Sequence, residues 1–226
     1  MDEMISEIQK VSNCAEMMDL IGKVGMLPLL ESCVPGFSAD AMVEAECRYH
    51  VTDDGWEWPL WQWKGPLVTE GGFAYGKFFD GKAGFVTQEW WPDLCNWRRS
   101  RHQLQNEESI EGAILSVLQL NGSMITRELR AACGFTGAKM RSRFDSYVTR
   151  LQAACRVVIE DFVYPRDRNG NAYGWGWALL NTPERLFGHE ACQCPRTPEE
   201  SRCRLEEHLR SLMPQATSRQ IERLLG

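Results

Sequence analysis

An α+β fold, mostly helical with small β-hairpins, is what this sequence predicts. Three observations point there. Residues 109–180 run as helix, short helix, Gly-containing turn, helix, β-branched strand, polar turn and returning strand. Earlier in the chain, Asp80-Gly81 joins two β-prone runs, and a two-residue link of this kind tolerates the positive φ that a tight hairpin needs. Elsewhere the apolar residues recur mainly at helical spacing. The first observation is the order of a winged helix, a helix-turn-helix with an appended hairpin.

Taken in order, residues 3–12 and 14–24 predict two short amphipathic helices. "GMLPLLESCVPGFSAD" is broken by Pro28 and Pro35 and predicts loop, with Ser38 able to cap a third helix. "HVTDDGWEWPLWQWKG" is turn-rich and carries four tryptophans. Phe73–Phe79 and Lys82–Val86 form the hairpin, and "TQEWWPDLCNWRR" predicts a helix from Thr87 or Gln88. The polar link "HQLQNEE" divides the chain. Residues 1–105 form a helical region with a Trp-rich segment and a hairpin, residues 106–188 the winged helix, and residues 189–226 the C-terminal helices.

From Ser109, Ile110, Ile114, Leu115, Val117 and Leu118 make one apolar helical face, stopped by Asn121-Gly122. Thr126, Glu128 and Leu129 open the second helix, and "AKMRSRFDSYVTRLQAA" is the third. "CRVVIEDFVY", "PRDRNGNA" and "YGWGWALL" are strand, wing turn and strand. Thr197, Pro198 and Glu200 predict a capping box and a first-turn proline for a later helix. "TSRQIERLL" is a short final helix.

The 226 residues carry a net charge of −6 and a pI near 5.4, which argues against strong nonspecific binding to nucleic acid. The charge is uneven. Residues 1–65 hold 4 Lys/Arg against 12 Asp/Glu, whereas residues 126–168 hold 9 against 5. A basic segment inside an acidic chain is a candidate anion-binding face. No apolar run approaches the roughly 20 residues that span a bilayer. The start, "MDEMISEIQK", lacks the basic and apolar regions of a signal peptide. With nine scattered cysteines, read as buried free thiols, these features lead us to expect a cytoplasmic protein.

Candidate binding residues follow from the winged-helix order. The third helix presents Lys139, Arg141, Ser142, Arg143 and Arg150, with Met140, Phe144, Val148 and Leu151 toward the core. In a DNA-binding winged helix such a helix enters the major groove. Arg166 and Arg168 at the wing, and Arg98, Arg99 and Arg101 at the end of the earlier helix, are further candidates for phosphates. Trp56, Trp58, Trp61 and Trp63 are either a stacking platform for bases or, at i, i+2 spacing, the aromatic face of a strand packed on a core. Core is the commoner identity. His189, Cys192, Cys194 and Cys203 supply zinc-type ligands, but not at the spacing of a finger or ribbon, so a chance cluster is the simpler reading. His50, His102, His189 and His208 are isolated. No phosphate-cradling loop, HExxH or GxSxG stands in the chain. Glu57, Gln62, Glu70, Asp80, Gln88, Glu89 and Asp93 lie near the aromatics and are most simply surface residues.

Several stretches together resemble the AlkZ/YcaQ family of bacterial DNA glycosylases: "VGMLPLLESCVPGFS", "AYGKFF", "KAGFVTQEWWPDLCNWRR", "MITRELR" and "WGWALLNTPERLFG". The match is closer to the AlkZ-related sequences, through "PGFS", "AYGKFF", "KAGFV" and "NWRR". It covers roughly residues 22–188, and order and spacing carry it rather than any single motif. The resemblance implies tandem winged helices forming a cleft around duplex DNA, and monofunctional excision of alkylated bases, interstrand crosslinks included. It also implies a Gln-Φ-Gln or Gln-Φ-Asp motif that positions the attacking water. The matching positions here are Pro28-Leu29-Leu30, which cannot hydrogen-bond a water. The chain is also shorter than the family's usual length. The expectation is a winged-helix protein that binds duplex DNA, damaged or distorted duplex included, with no cofactor, no metal and no membrane partner. The alternatives are an active glycosylase with a relocated residue (Glu31, Gln62, Gln88 or Glu89) and a winged helix used for protein contacts.

Overall fold

Asn13 starts the first helix. Its side chain accepts from the Glu16 N–H, and α1 (Cys14–Val24) buries Met17, Leu20, Ile21 and Val24 on one face. A computed structural model describes residues 10–53, 55–104, 108–170 and 174–226, with the side chains of Ala138 and Lys139 excepted. The helix predicted over 3–12 falls mostly outside these residues. Val11, at its end, makes a parallel bridge to Val43.

The chain turns into β1 (Met26–Pro28), which pairs with β5 (Lys82–Val86), itself paired with β4 (Ala74–Phe79). Asp80 and Gly81 make the β4–β5 turn at φ 51° and 74°, the left-handed conformation expected of the pair. Between β1 and β4 lie α2 (Ala39–Met42), which Ser38 caps, a 3-10 turn (Ala45–Cys47), the hairpin β2 (His50–Thr52) and β3 (Gly55–Glu57), and α3 (Pro59–Thr69).

Helix α3 has no counterpart in the sequence reading. Its tryptophans and internal Pro66 are poor helix formers, but Pro59 occupies the first turn, and Leu60, Lys64, Leu67 and Val68 are buried. Trp61 and Trp63 therefore sit on a helix, and the i, i+2 strand alternation does not hold for them. Helix α4 (Trp91–Arg101) starts later than Thr87 because Pro92 suits the first turn and residues 88–90 form a turn before it.

Residues 110–181 follow the predicted order: α5 (Ile110–Asn121), the short β6 (Met124–Ile125), α6 (Thr126–Ala132), α7 (Ala138–Ala153), β7 (Val158–Val163) and β8 (Trp177–Asn181). Their three strands make an antiparallel sheet in the order β6-β8-β7. The wing turn lies partly outside the described residues. After α8 (Pro183–Phe187), α9 (Pro198–Leu212) carries the predicted Thr197–Glu200 capping box, and α10 (Ser218–Leu225) carries a second, Thr217–Gln220.

Packing draws these segments together. Helix α9 lies against α4, α10 against α9 and β4, α7 against β4, and β7 against both β4 and α3. One continuous core results, running from Met17, Leu27 and Phe37 through Phe85 and Trp91 to Phe144 and Leu205. Among the described residues no helix is long and apolar enough to cross a membrane.

Candidate functional site

Helices α6 and α7 are joined by the turn at Gly134–Gly137, and the geometry there gathers positive charge. Arg127 and Arg130 of α6 and Arg141 of α7 line a cavity of about 390 Å³ closed by Ala131, Phe135, Thr136 and Gly137, with no carboxylate in its wall. Directly after Arg141 on α7, Ser142 and Arg143 are exposed, while Phe144, Val148 and Leu151 are buried. The helical period thus places Arg141 and Arg143 on the solvent face of a helix anchored by its apolar face. Neither they nor Arg130 ion-pairs with a carboxylate among the described residues. Arg166 and Arg168 are exposed on the β7–β8 loop, where Arg166 donates to the Gly170 carbonyl at 2.8 Å. Sequence reasoning passed over Arg127 and Arg130 because it looked for cations on the third helix and not on the one that packs beside its start. The Lys139 side chain lies outside the described residues.

The other candidates are used elsewhere. Arg150 is tied to Glu111 at 2.6 Å and lies over the Tyr147 ring. Arg98, offered above as a phosphate contact, needs correction, because it is only 3% exposed. It donates to the Phe78 carbonyl at 2.7 Å, to that of Leu224 at 2.8 Å and to that of Ala153 at 3.1 Å. The last two close the C-terminal ends of α10 and α7, where carbonyls lack intrahelical partners and a cation is favoured. Burial lowers the pKa of its guanidinium. Arg99 does similar work: it holds the Cys155 carbonyl just past α7 and pairs with Glu184 at 2.6 Å. Arg101 is exposed, 5.4 Å from the Trp97 ring.

The positions that match the catalytic motif of the resembled family lie at the end of β1. Leu29 is buried, and Leu30 and Glu31 open onto a cavity of about 530 Å³ that Asp80, Lys82 and Arg223 also line. Arg223 and Asp80 form an ion pair across it. Gln62 is exposed; Gln88 donates to the Gly72 carbonyl, and Glu89 pairs with Arg204 at 3.3 Å. Asp93, read as a surface residue, is 1% exposed and holds Arg196, Arg204 and Ser201 of the C-terminal segment.

Among the described residues no group of three or more His, Cys, Asp or Glu is placed to hold a metal ion. Of the zinc-type residues, His189 and Cys203 are exposed. Cys192 is buried, and the neighbouring Cys95 thiol lowers its pKa to about 7.

The tryptophans divide. Trp58, Trp61 and Trp63 pack partly buried against the core. Trp56 is exposed and stacks on Trp175 of the β7–β8 loop, centroids 5.2 Å apart at 13°. Beneath them Lys64 is buried, its ammonium 3.5 Å from the Trp61 ring centroid and 3.8 Å from that of Phe162, donating to the Trp175 carbonyl at 3.2 Å. Burial lowers its pKa to about 8.

No curated protein and no solved structure matches the chain. One family model does, over residues 11–226, nearly the whole length, and by that match the chain belongs to the AlkZ-related family.

Proposed function

We propose that this protein binds duplex DNA through a winged helix formed by residues 106–188, with α7 as the groove-facing helix. The observation that carries the reading is the cluster of cations where α6 meets α7, none in an ion pair among the described residues: Arg127, Arg130 and Arg141 around a cavity with no carboxylate in its wall, with Arg143 and Ser142 beside it. Three supports join it. The order α5-α6-α7 followed by a hairpin that β6 extends is that of a winged helix. The local excess of Lys/Arg over residues 126–168 opposes the acidic charge of the whole chain. Membership of the AlkZ-related family suggests a DNA partner. The described residues of 1–105 and 189–226 serve as the scaffold that fixes α4 and β4 behind the winged helix. A DNA partner accords with the cytoplasmic location expected from the sequence.

The test is the fluorescence anisotropy of a labelled duplex titrated at several salt concentrations. Wild-type affinity is expected to fall steeply with salt. Arg130→Ala with Arg141→Ala is expected to weaken binding and flatten the slope of log K against log salt by about 0.9 for each phosphate contact removed. Unchanged affinity and slope in that double variant would remove these arginines from the interface. Absence of binding at low salt would favour a protein-contact role.

A second reading, base excision by a carboxylate in place of the missing glutamine, draws on Glu31 in the cavity beside positions 28–30. Time-dependent release of 7-methylguanine from alkylated duplex, lost in Glu31→Gln, supports it. No release at excess protein ends it.

A further inference from the structure

Six of the eight large hydrophobic side chains exposed among the described residues lie on two hairpins that meet: Tyr49, Val51 and Trp56 around β2–β3, and Val163, Trp175 and Trp177 around β7–β8. Val51 faces Trp56 across the first hairpin, and Val163 faces Trp177 across the second. Tyr49 stacks on Trp56 with centroids 6.1 Å apart, and Trp56 on Trp175. An exposed apolar patch of this kind marks a contact surface more often than an idle one.

What borders the patch identifies its occupant. The Arg127 guanidinium lies 5.0 Å from the Trp177 ring, so the aromatic face is continuous with the arginines of α6 and α7. On the far side the charge reverses: Glu57 follows Trp56 and pairs with His50 at 3.7 Å. A nucleic-acid backbone is therefore attracted to the Arg127 edge and repelled from the Trp56 edge. A base that leaves its partner strand reaches the rings while its phosphates stay on the arginines. The parallel Trp56 and Trp175 rings are too close together to admit a base between them, and Tyr49 also stacks on Trp56, so a base stacks on the exposed ring surface of Trp175 and Trp177, with Trp56 holding Trp175 in place. We propose that the Trp56–Trp175–Trp177 face is a stacking site for an unpaired nucleobase of bound DNA. The inference rests on the DNA-binding reading above and adds to it a preference for distorted over fully paired duplex.

The experiment compares two labelled duplexes by anisotropy: one fully paired, one with a bulge of three unpaired thymines. The wild-type protein is expected to bind the bulged duplex about tenfold or more tightly, the range of one or two stacked bases. Trp56→Ala with Trp175→Ala is expected to erase that preference while leaving affinity for the paired duplex and the melting temperature near wild type. The Phe pair at the same positions keeps most of it. If the Ala pair fails to fold, Trp177→Ala replaces it, with the same expectation in smaller measure. Equal, salt-sensitive binding of both duplexes by the wild type overturns the stacking site and leaves the DNA reading standing. A preference that survives the Ala pair also overturns it. Absence of binding to either duplex removes the DNA reading and the stacking site with it.

Discussion

Arg98→Met separates two accounts of one residue. As a surface cation it would contribute a phosphate contact; as placed in the fold it ties β4, α7 and α10 together through three carbonyl oxygens. Methionine keeps the apolar stem and removes the guanidinium. Each carbonyl left without its donor costs about 1–3 kcal/mol, since a buried acceptor loses water and partner alike. Against this, the variant no longer pays to bury a charge, an offset of several kcal/mol. The net expectation is a loss of about 2–5 kcal/mol. For a chain of this length one kcal/mol moves the melting temperature by about 2–4 °C, so the midpoint should fall by roughly 4–20 °C. The assay is thermal unfolding, with duplex anisotropy measured well below the midpoint on the folded protein. Affinity and salt slope should stay at wild-type values. An unchanged melting temperature together with weaker DNA binding and a flatter salt slope would refute the reasoning and return Arg98 to the binding face.

Other expectations follow from single sites. Lys64 titrates near 8 in the fold and near 10.5 when unfolded, so between these values the unfolded chain binds the extra proton. Its burial therefore costs about 3 kcal/mol in full below pH 8, and the cost is relieved as pH rises toward 10.5. Lys64→Met should abolish that rise in a denaturant series run from pH 7 to 10.5; a rise of the same size in the variant would contradict the assignment. Asp93→Ala leaves Arg196 and Arg204 without their shared buried carboxylate and should cost about 3–5 kcal/mol, read as a lower urea midpoint. A midpoint equal to wild type would show that α9 is held by apolar packing alone. Gly84→Ala would bring a methyl within 2.5 Å of the Leu27 carbonyl and 2.6 Å of the Phe79 ring. It should destabilise by about 1–3 kcal/mol through overpacking, whereas a neutral result would mean that β1 can move off β5.

The locally determined features were legible in the sequence. Asp80-Gly81, Ser38 and Thr197 with Glu200 did what their side chains dictate within a few residues, because capping and tight turns are short-range geometry. The order of elements from Ile110 to Asn181, and the exposure of Arg141 and Arg143 on α7, followed from periodicity alone. Helix α3 was not legible, since its residues favour no helix and only burial against the core selects one. Nor was the fate of the charged and aromatic residues. Arg98 and Arg143 look alike in sequence, yet one closes two helix ends inside the protein and the other faces solvent. Asp93 is a buried anchor because residues a hundred positions later supply its arginines, and Trp175 is a stacking partner because a distant hairpin brings Trp56 to it. The sequence by itself determined which short segments form and which face of each is apolar. Only the tertiary structure decided which polar and aromatic groups remain at the surface, because burial is set by partners far along the chain, and local propensity does not encode them.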